Sequence, residues 1–216
     1  TIVDKTNLPE AKKHFSLALK VNPKNSKALY NLARVLIHEE SYSKAKSNLK
    51  KAILADKQYS KAYYLLGTVF LNELDNKNAE KNLESSIKYF EKNPKAHFKL
   101  GEMYYLEKDF TNSEKNLKVS LSFEDENAEA HHYLANIYRE DKDPNQAKKH
   151  YYRALEINPD FALAYFNLGN HCLETGDPNE AKIHYQKATD IDQNYATAYF
   201  QLAKTLQNPS EFDQAY

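Results

Sequence analysis

The chain has 216 residues, with 30 basic and 30 acidic side chains and a formal net charge of zero. Apolar residues make up 41% of the sequence and charged residues 28%, which is polar for a compact globule and typical of a thin, elongated protein in which no residue lies far from water. Four glycines and seven prolines argue against a many-stranded β fold, and the single cysteine, Cys172, excludes an internal disulfide and a metal site made of several cysteines.

The charges are unevenly distributed along the chain. Residues 1–108 carry 20 basic and 12 acidic side chains, whereas residues 109–216 carry 10 and 18. Only 3 of the basic residues are arginines, the usual residue for bidentate phosphate and base contacts, so we predict no nucleic-acid partner. No run of 18 apolar residues is present and residues 1–25 lack the pattern of a signal peptide. The sequence therefore predicts no membrane span and, by default, a cytoplasmic location.

A pattern of 34 residues repeats along the whole sequence with no insertion or deletion. With Ser26 as place 1, the seventh place of every repeat is leucine, the third is alanine and the eighth is alanine or glycine. We therefore predict a single array over residues 1–216. Its parts are a partial repeat at 1–25, full repeats at 26–59, 60–93, 94–127, 128–161 and 162–195, and a partial repeat at 196–216. Because both ends fall inside a predicted helical hairpin, we expect the sequence to be a segment of a longer array.

Each repeat is predicted to form two amphipathic helices. Places 3, 4, 7, 8 and 11 recur with helical spacing, as do places 20, 24 and 27, and the small residues at places 8 and 20 allow close contact of the helix backbones. The sixteenth place predicts the N-cap of the second helix, and its residues are Asn7, Ser41, Asp75, Asp109, Asp143, Asp177 and the less favourable Glu211. Three residues after this cap, the residues predicted to complete capping boxes are Glu10, Gln146, Glu180 and Gln214.

This pattern resembles the tetratricopeptide repeat family over essentially the whole chain, most closely at residues 164–194, AYFNLGNHCLETGDPNEAKIHYQKATDIDQN. The resemblance implies an all-α fold, a right-handed superhelical solenoid of helix-turn-helix pairs whose first helices line a concave face. The sequence departs from the family pattern at two places. Leu29, His97 and His131 replace the usual large aromatic residue at place 4, and Lys57, Glu91, Asp125 and Gln193 replace the proline that ends the second helix.

The sequence contains no pattern typical of a catalytic, cofactor or metal site. Phosphate-binding glycine loops, the GxSxG motif and the HExxH motif are absent. Place 23 carries His14, His150 and His184. Equivalent points on stacked helix pairs are too far apart for these side chains to share one metal ion. His97 and His131, at the core-facing fourth place, are predicted to be packed and neutral with depressed pKa values, and Cys172 is predicted to be a small core residue.

The side of the first helix that faces away from the core offers a candidate binding surface. Places 2, 5, 9 and 12 project together, and the fifth place is a ring side chain in every repeat. Such apolar platforms flanked by polar groups suit an extended peptide or a partner helix. The candidate peptide-binding residues are Tyr30, Arg34, Tyr64, Phe98, His132, Asn136, Phe166, Asn170 and Phe200. The alternative is that the rings pack against the neighbouring repeat.

We interpret the sequence as a non-enzymatic protein–protein interaction scaffold that binds a protein or peptide partner on its concave face. One alternative is the substrate-recognition arm of a larger enzyme such as a glycosyltransferase, which the resemblance suggests through two asparagines at place 6, Asn31 and Asn167. Another is a scaffold that self-associates head to tail, because the two halves carry opposite charge. The lysine and asparagine clamp by which some family members hold C-terminal carboxylates is not matched, because every fifth place is a ring.

Overall fold

The computed structural model describes residues 7–207, which form α-helices joined by short turns and contain no strand. The helices of this range are α1 (Leu8–Val21), α2 (Ser26–His38), α3 (Tyr42–Ala55), α4 (Ser60–Asn72), α5 (Asn76–Tyr89), α6 (Pro94–Leu106), α7 (Phe110–Phe123), α8 (Ala128–Glu140), α9 (Pro144–Ile157), α10 (Ala162–Glu174), α11 (Pro178–Ile191) and α12 (Ala196–Gln207). Within the described range, every even-numbered helix begins at place 1 of the 34-residue repeat and every odd-numbered helix begins at place 17. The predicted pair of helices per repeat is confirmed.

The second helix of each described repeat ends at place 30, whether or not a proline follows. Helix α1 ends two residues before Pro23, and α3 ends at the same place although Lys57 stands where the family has proline. In α3 the next backbone N–H, that of Asp56, closes the last turn by donating to the Ala52 carbonyl at 2.9 Å. The missing proline therefore does not change where the helix ends.

The described residues form two compact units, which lie within residues 1–103 and 104–216. In the first unit α2 packs against α3 and α4 against α5, and the contact of α3 with α4 joins the two hairpins. In the second unit α8 packs against α9 and α10 against α11, and α9 contacts α10. Stacked helical hairpins of this kind confirm the all-α solenoid class, while the prediction of a single array over residues 1–216 stays a prediction. No helix in the described part of the chain is both long and apolar enough to cross a bilayer.

The small residues at place 8 allow the close contact of helices that the sequence predicts. A Cβ atom added at Gly67 would lie 2.8 Å from Leu83 Cγ, and one added at Gly169 would lie 2.6 Å from Tyr185 Cε1. Leu83 and Tyr185 both occupy place 24 of the second helix. The glycines are therefore needed because a large core side chain occupies the space that a Cβ would take.

Aspartate side chains cap four of the second helices. Each accepts the backbone N–H three residues later at 2.9–3.2 Å, and these residues are Asp75, Asp109, Asp143 and Asp177. Asn7 and Ser41 also stand at N-cap positions but form no side-chain cap bond. Glu211 and Gln214 lie outside the described residues. The N-cap prediction is confirmed where the residue is aspartate.

The capping boxes predicted at Gln146 and Glu180 are wrong. The backbone N–H that a box would satisfy already donates to a carbonyl five residues earlier, at 2.9 Å for Asp143 and 2.8 Å for Asp177. The Glu180 carboxylate instead accepts from the Lys148 ammonium and the Tyr152 hydroxyl, both at 2.6 Å. The helix-to-helix turn thus satisfies its own backbone, and the Glu180 side chain is free to make other contacts.

That turn places one residue in the left-handed region of backbone conformation. The φ angles are 56° at Glu40, 59° at Leu74, 62° at Lys108, 58° at Lys142 and 84° at Gly176. The residue after each left-handed residue donates its backbone N–H to the carbonyl that lies five residues before it. This is the six-to-one bond of a Schellman motif, in which glycine is preferred at the left-handed position. Only one of these five turns has glycine there.

Candidate peptide-binding surface

The place-5 rings differ widely in exposure among the repeats. Tyr30, Tyr64, Phe98 and Phe166 are half-buried. His132 is 4% exposed, whereas Phe200 is 64% exposed. The polar candidates at place 9 also differ, since Arg34 is exposed, Asn170 is half-buried and Asn136 is buried. The predicted surface is therefore not uniform, and each part of it has its own chemistry.

Three of the place-5 rings pack against a second ring at place 34 of the same repeat. The ring centroids lie 5.3 Å apart for Tyr30 and Tyr59, 5.0 Å apart for His132 and Phe161, and 5.1 Å apart for Phe166 and Tyr195. Place 34 was not predicted to be part of this surface, although the aromatic residues there, in three of the repeats, were a visible signal. Because each ring of a pair covers part of the other, the pair forms a fixed aromatic floor rather than two separate platforms.

A basic cleft of about 560 Å³ lies beside the Tyr30 and Tyr59 pair in the first unit. The residues that line the basic cleft are Lys27, Tyr30, Asn31, Arg34, Tyr59, Ser60, Lys61, Tyr89 and Phe90. Three of them are cationic and none is acidic. Burial raises the pKa of Tyr30, and the Arg34 guanidinium opposes that rise, which places the positive charge next to the aromatic floor.

A smaller cleft of about 270 Å³ lies beside the His132 and Phe161 pair in the second unit. The residues that line this histidine cleft are Tyr105, Glu129, His132, Tyr133, Asn136, Phe161, Leu163 and Asn167. Both clefts use places 2, 5, 6, 9 and 34 of one repeat and place 2 of the next. The two clefts are thus equivalent in position, but in the histidine cleft Glu129 and Leu163 replace the lysines of the basic cleft.

His132 is held as a neutral ring. Burial, followed by the nearby charge of Arg139, lowers the pKa of His132 to about 4. The Asn167 Nδ2 amide donates to His132 Nε2 at 2.8 Å, which requires an unprotonated nitrogen at that position. At neutral pH the fifth place of this repeat therefore presents an uncharged aromatic ring, like the phenylalanines and tyrosines of the other repeats.

Core tyrosines fix the orientation of the two asparagines at place 9. The Tyr151 hydroxyl donates to Asn136 Oδ1 at 2.6 Å, and the Tyr185 hydroxyl donates to Asn170 Oδ1 at 2.8 Å. In both repeats the tyrosine lies 15 residues after the asparagine, on the second helix of the hairpin. The two asparagines were predicted from the sequence as candidate binding residues, but their hydrogen bonds with these tyrosines were not predicted.

Three family models, each described as tetratricopeptide repeat, match residues 3–69, 64–121 and 126–194. The chain is a tetratricopeptide repeat protein. The helix pairs and their 34-residue spacing agree with the expectation drawn from the sequence. A search of the curated proteins found no match.

Several solved structures share the fold at low sequence identity. YrrB, described as a TPR protein with an unusual peptide-binding site, has a TM-score of 0.74 and 20% identity, over 88% of this chain and 97% of YrrB. PilF of Pseudomonas aeruginosa has a TM-score of 0.75 and 18% identity, over 87% of each chain. In the APC/C hetero-tetramer Cut9–Hcn1 the values are 0.75 and 20%, over 94% of this chain but only 40% of the matched one. These likenesses establish the fold.

Proposed function

We propose that this tetratricopeptide repeat protein is a non-enzymatic interaction scaffold that binds an extended peptide along the first helices of its repeats. The observation that carries the proposal is that equivalent places form an open cleft beside an aromatic floor in both units. An open cleft beside an aromatic floor suits the apolar side chains of an extended peptide. The fold of YrrB, described as having a peptide-binding site, is consistent with this class of function.

The charges of the basic cleft favour an acidic and apolar peptide segment. Lys27, Arg34 and Lys61 are exposed around the Tyr30 and Tyr59 rings. Residues 1–103 as a whole carry 19 basic and 11 acidic side chains. A carboxylate of the peptide would be attracted by the cations, while a neighbouring apolar side chain would lie on the rings.

In the second unit, Asn170 is suited to hold the backbone of a bound peptide. Because its Oδ1 accepts from the Tyr185 hydroxyl, the carboxamide cannot rotate freely, and its Nδ2 donors keep one direction. A donor that is already oriented loses less conformational entropy when it binds a peptide carbonyl. Tyr185 would act as a positioning residue for this contact.

The proposal is tested by selecting peptides from a random displayed library on the full chain and measuring the affinity of the selected peptides. We expect sequences in which Asp or Glu adjoins an aromatic or aliphatic residue. Arg34→Gln combined with Lys61→Gln should weaken their binding at least about tenfold, because two cations of the basic cleft are lost. The matched control is Lys50→Gln with Lys51→Gln, which removes the same charge from exposed positions on α3.

The two double variants separate a local site from general electrostatic attraction. Equal weakening by both variants would contradict a site at the basic cleft, since only the total charge would then matter. Selected peptides that bind the Arg34 and Lys61 variant as tightly as the unchanged chain would also contradict it.

A further inference from the structure

Three side chains of metal-ligand type converge inside the hairpin of α10 and α11. Cys172 lies on α10, and Glu180 and His184 lie one turn apart on α11. The Cys172 sulfur, a Glu180 carboxylate oxygen and a His184 ring nitrogen all lie within 4.8 Å of one another. In the preceding repeat the corresponding residues are Tyr138, Gln146 and His150, so this combination is particular to the repeat at 162–195.

His184 has a buried nitrogen that lacks a hydrogen-bond partner. The residue is 7% exposed, and its Nε2 atom has no hydrogen bond to any group in the described part of the chain. The nearest carboxylate oxygen, Glu180 Oε1, lies 3.6 Å away. A buried polar atom without a partner is costly, so the His184 Nε2 atom is available to a further ligand.

The protonation states at this cluster suit an exchange of one proton for a cation. Burial, followed by the neighbouring Glu180 charge, raises the pKa of the Cys172 thiol to about 12, so the thiol is neutral at pH 7. The Lys148 and Tyr152 bonds lower the pKa of Glu180 to about 2, so that residue is ionised. Burial lowers the pKa of His184, which leaves its ring neutral at pH 7 and able to donate a lone pair.

We propose that Cys172 Sγ, the Glu180 carboxylate and His184 Nε2 together bind one zinc ion, with a fourth position left to water. Zinc takes sulfur, nitrogen and oxygen ligands at about 2.0–2.3 Å, which places neighbouring ligand atoms of a tetrahedral site roughly 3.5 Å apart. Side-chain movements of about 1 Å would bring the three ligands from their present separation to that spacing. Binding balances as Zn²⁺ plus the thiol giving a zinc–thiolate bond and one proton, which leaves to solvent.

The surroundings of Glu180 would serve as the outer shell of this site. The Tyr152 hydroxyl donates to Glu180 Oε1 and the Lys148 ammonium to Oε2, each at 2.6 Å. Hydrogen bonds of this kind hold a ligating carboxylate in orientation. The positive charge of Lys148 would oppose the binding of a cation. However, the Lys148 side chain is 44% exposed and contacts Glu180 Oε2, whereas Glu180 Oε1 is the oxygen that lies near His184.

Cobalt(II) is the probe that tests the site most directly, because cobalt bound to a thiolate gives a charge-transfer absorption. Cys172 is the only cysteine of the 216 residues, so this absorption can arise only from an ion at Cys172. We expect the absorption to saturate at one equivalent of Co²⁺ and to disappear when Zn²⁺ displaces it. Zinc binding at pH 7 in weak buffer should release one proton per ion.

Variants assign the remaining ligands. Cys172→Ala should abolish the absorption, and His184→Gln or Glu180→Gln should weaken cobalt binding at least about tenfold, with helical circular dichroism retained. The matched control is His14→Gln, because Glu10 and His14 form a similar pair four residues apart but are 73% and 66% exposed. This control should bind cobalt like the unchanged chain.

The proposal is overturned if the folded chain shows no thiolate absorption with excess Co²⁺, or if His184→Gln and Glu180→Gln both leave the absorption and its midpoint unchanged. If Cys172→Ala does not fold, the His184 and Glu180 variants decide the question alone.

Discussion

His131 and His150 face each other within one helical hairpin, with their Nδ1 atoms 2.9 Å apart. Such a pair requires one ring to donate and the other to accept, so protonation of both rings breaks it. Burial lowers the pKa of both residues, that of His150 to about 4 with further help from the His131 charge. Asp125 acts in the opposite direction at His131, to which it offers its backbone carbonyl.

This pair predicts a loss of stability in mild acid. Because the folded pKa values lie below the unfolded value of about 6.5, the unfolded chain binds more protons between about pH 6.5 and 4. The contribution of the pair to stability is therefore complete above pH 6.5 and is lost as the pH falls toward 4. After allowance for the partial exposure of His150, we expect a loss of roughly 1–2 kcal/mol between pH 7.5 and 4.5. Urea unfolding at a series of pH values measures it.

The control for this prediction comes from another repeat of the same chain. His131→Tyr with His150→Asn gives the side chains that Tyr63 and Asn82 provide at the equivalent places of residues 60–93. This double variant should lose less stability in acid than the unchanged chain does. An identical pH dependence in the two proteins would show that other groups, such as His132, account for the acid sensitivity.

For individual side chains, the 34-residue pattern predicted which residues are packed but not which residues contact each other. The depressed pKa of His131 and the burial of Cys172 are confirmed. The contact of His131 with His150 was not predicted, because the repeat pattern relates equivalent places in different repeats. His150 lies at a different place of the same repeat, 19 residues after His131. For the same reason, the repeat pattern did not predict the hydrogen bond of Tyr185 with Asn170 or the proximity of Cys172 and His184.

Among the elements, the turns between the two helices of a repeat carry backbone strain. Leu74 adopts a φ of 59° although it is not glycine, and its side chain is 88% exposed. A residue with a Cβ atom pays about 1–2 kcal/mol in the left-handed region, whereas glycine does not. The equivalent turn at Gly176 already has the preferred residue.

Leu74→Gly should therefore stabilise the protein, although glycine usually destabilises. The expected gain is about 0.5–1 kcal/mol, because relief of the strain exceeds the greater entropy of glycine in the unfolded chain. Leu74→Ala is the control, since it removes the same exposed side chain but keeps the Cβ atom, and it should change the stability little. Chemical denaturation measures both. A gain of equal size in the two variants would mean that removal of an exposed leucine, not backbone conformation, is the cause.

The boundaries of the elements were largely predictable from the sequence. Recurring apolar places and aspartate caps predicted where the helices begin, because these are local signals with a helical period. The left-handed residues at Glu40, Leu74, Lys108 and Lys142 were not predictable, since glycine, the usual signal, is missing there. The capping boxes failed for a related reason, because the Schellman bond of the same turn uses the N–H that a box requires.

Across the whole molecule, one compact unit carries an excess of basic side chains and the other carries an excess of acidic side chains. Residues 1–103 carry 19 basic and 11 acidic side chains, and residues 104–216 carry 11 and 19. The net charges of the two units are therefore equal in size and opposite in sign. Attraction between the basic unit of one molecule and the acidic unit of another favours association of copies at low ionic strength, where the screening length is about 30 Å at 0.01 M salt rather than about 8 Å at 0.15 M.

We predict weak self-association that falls severalfold when salt is raised from about 0.02 M to 0.3 M. Lys50→Glu with Lys51→Glu should weaken it, because the charge of the basic unit is halved. Lys182→Glu with Lys187→Glu should strengthen it, because the same change in total charge makes the acidic unit more acidic; all four lysines are exposed. Sedimentation velocity over a range of protein concentrations measures the effect.

A monomer at every salt and protein concentration would contradict the prediction. Equal effects of the two variants would show that association follows the total charge and not its separation between the units.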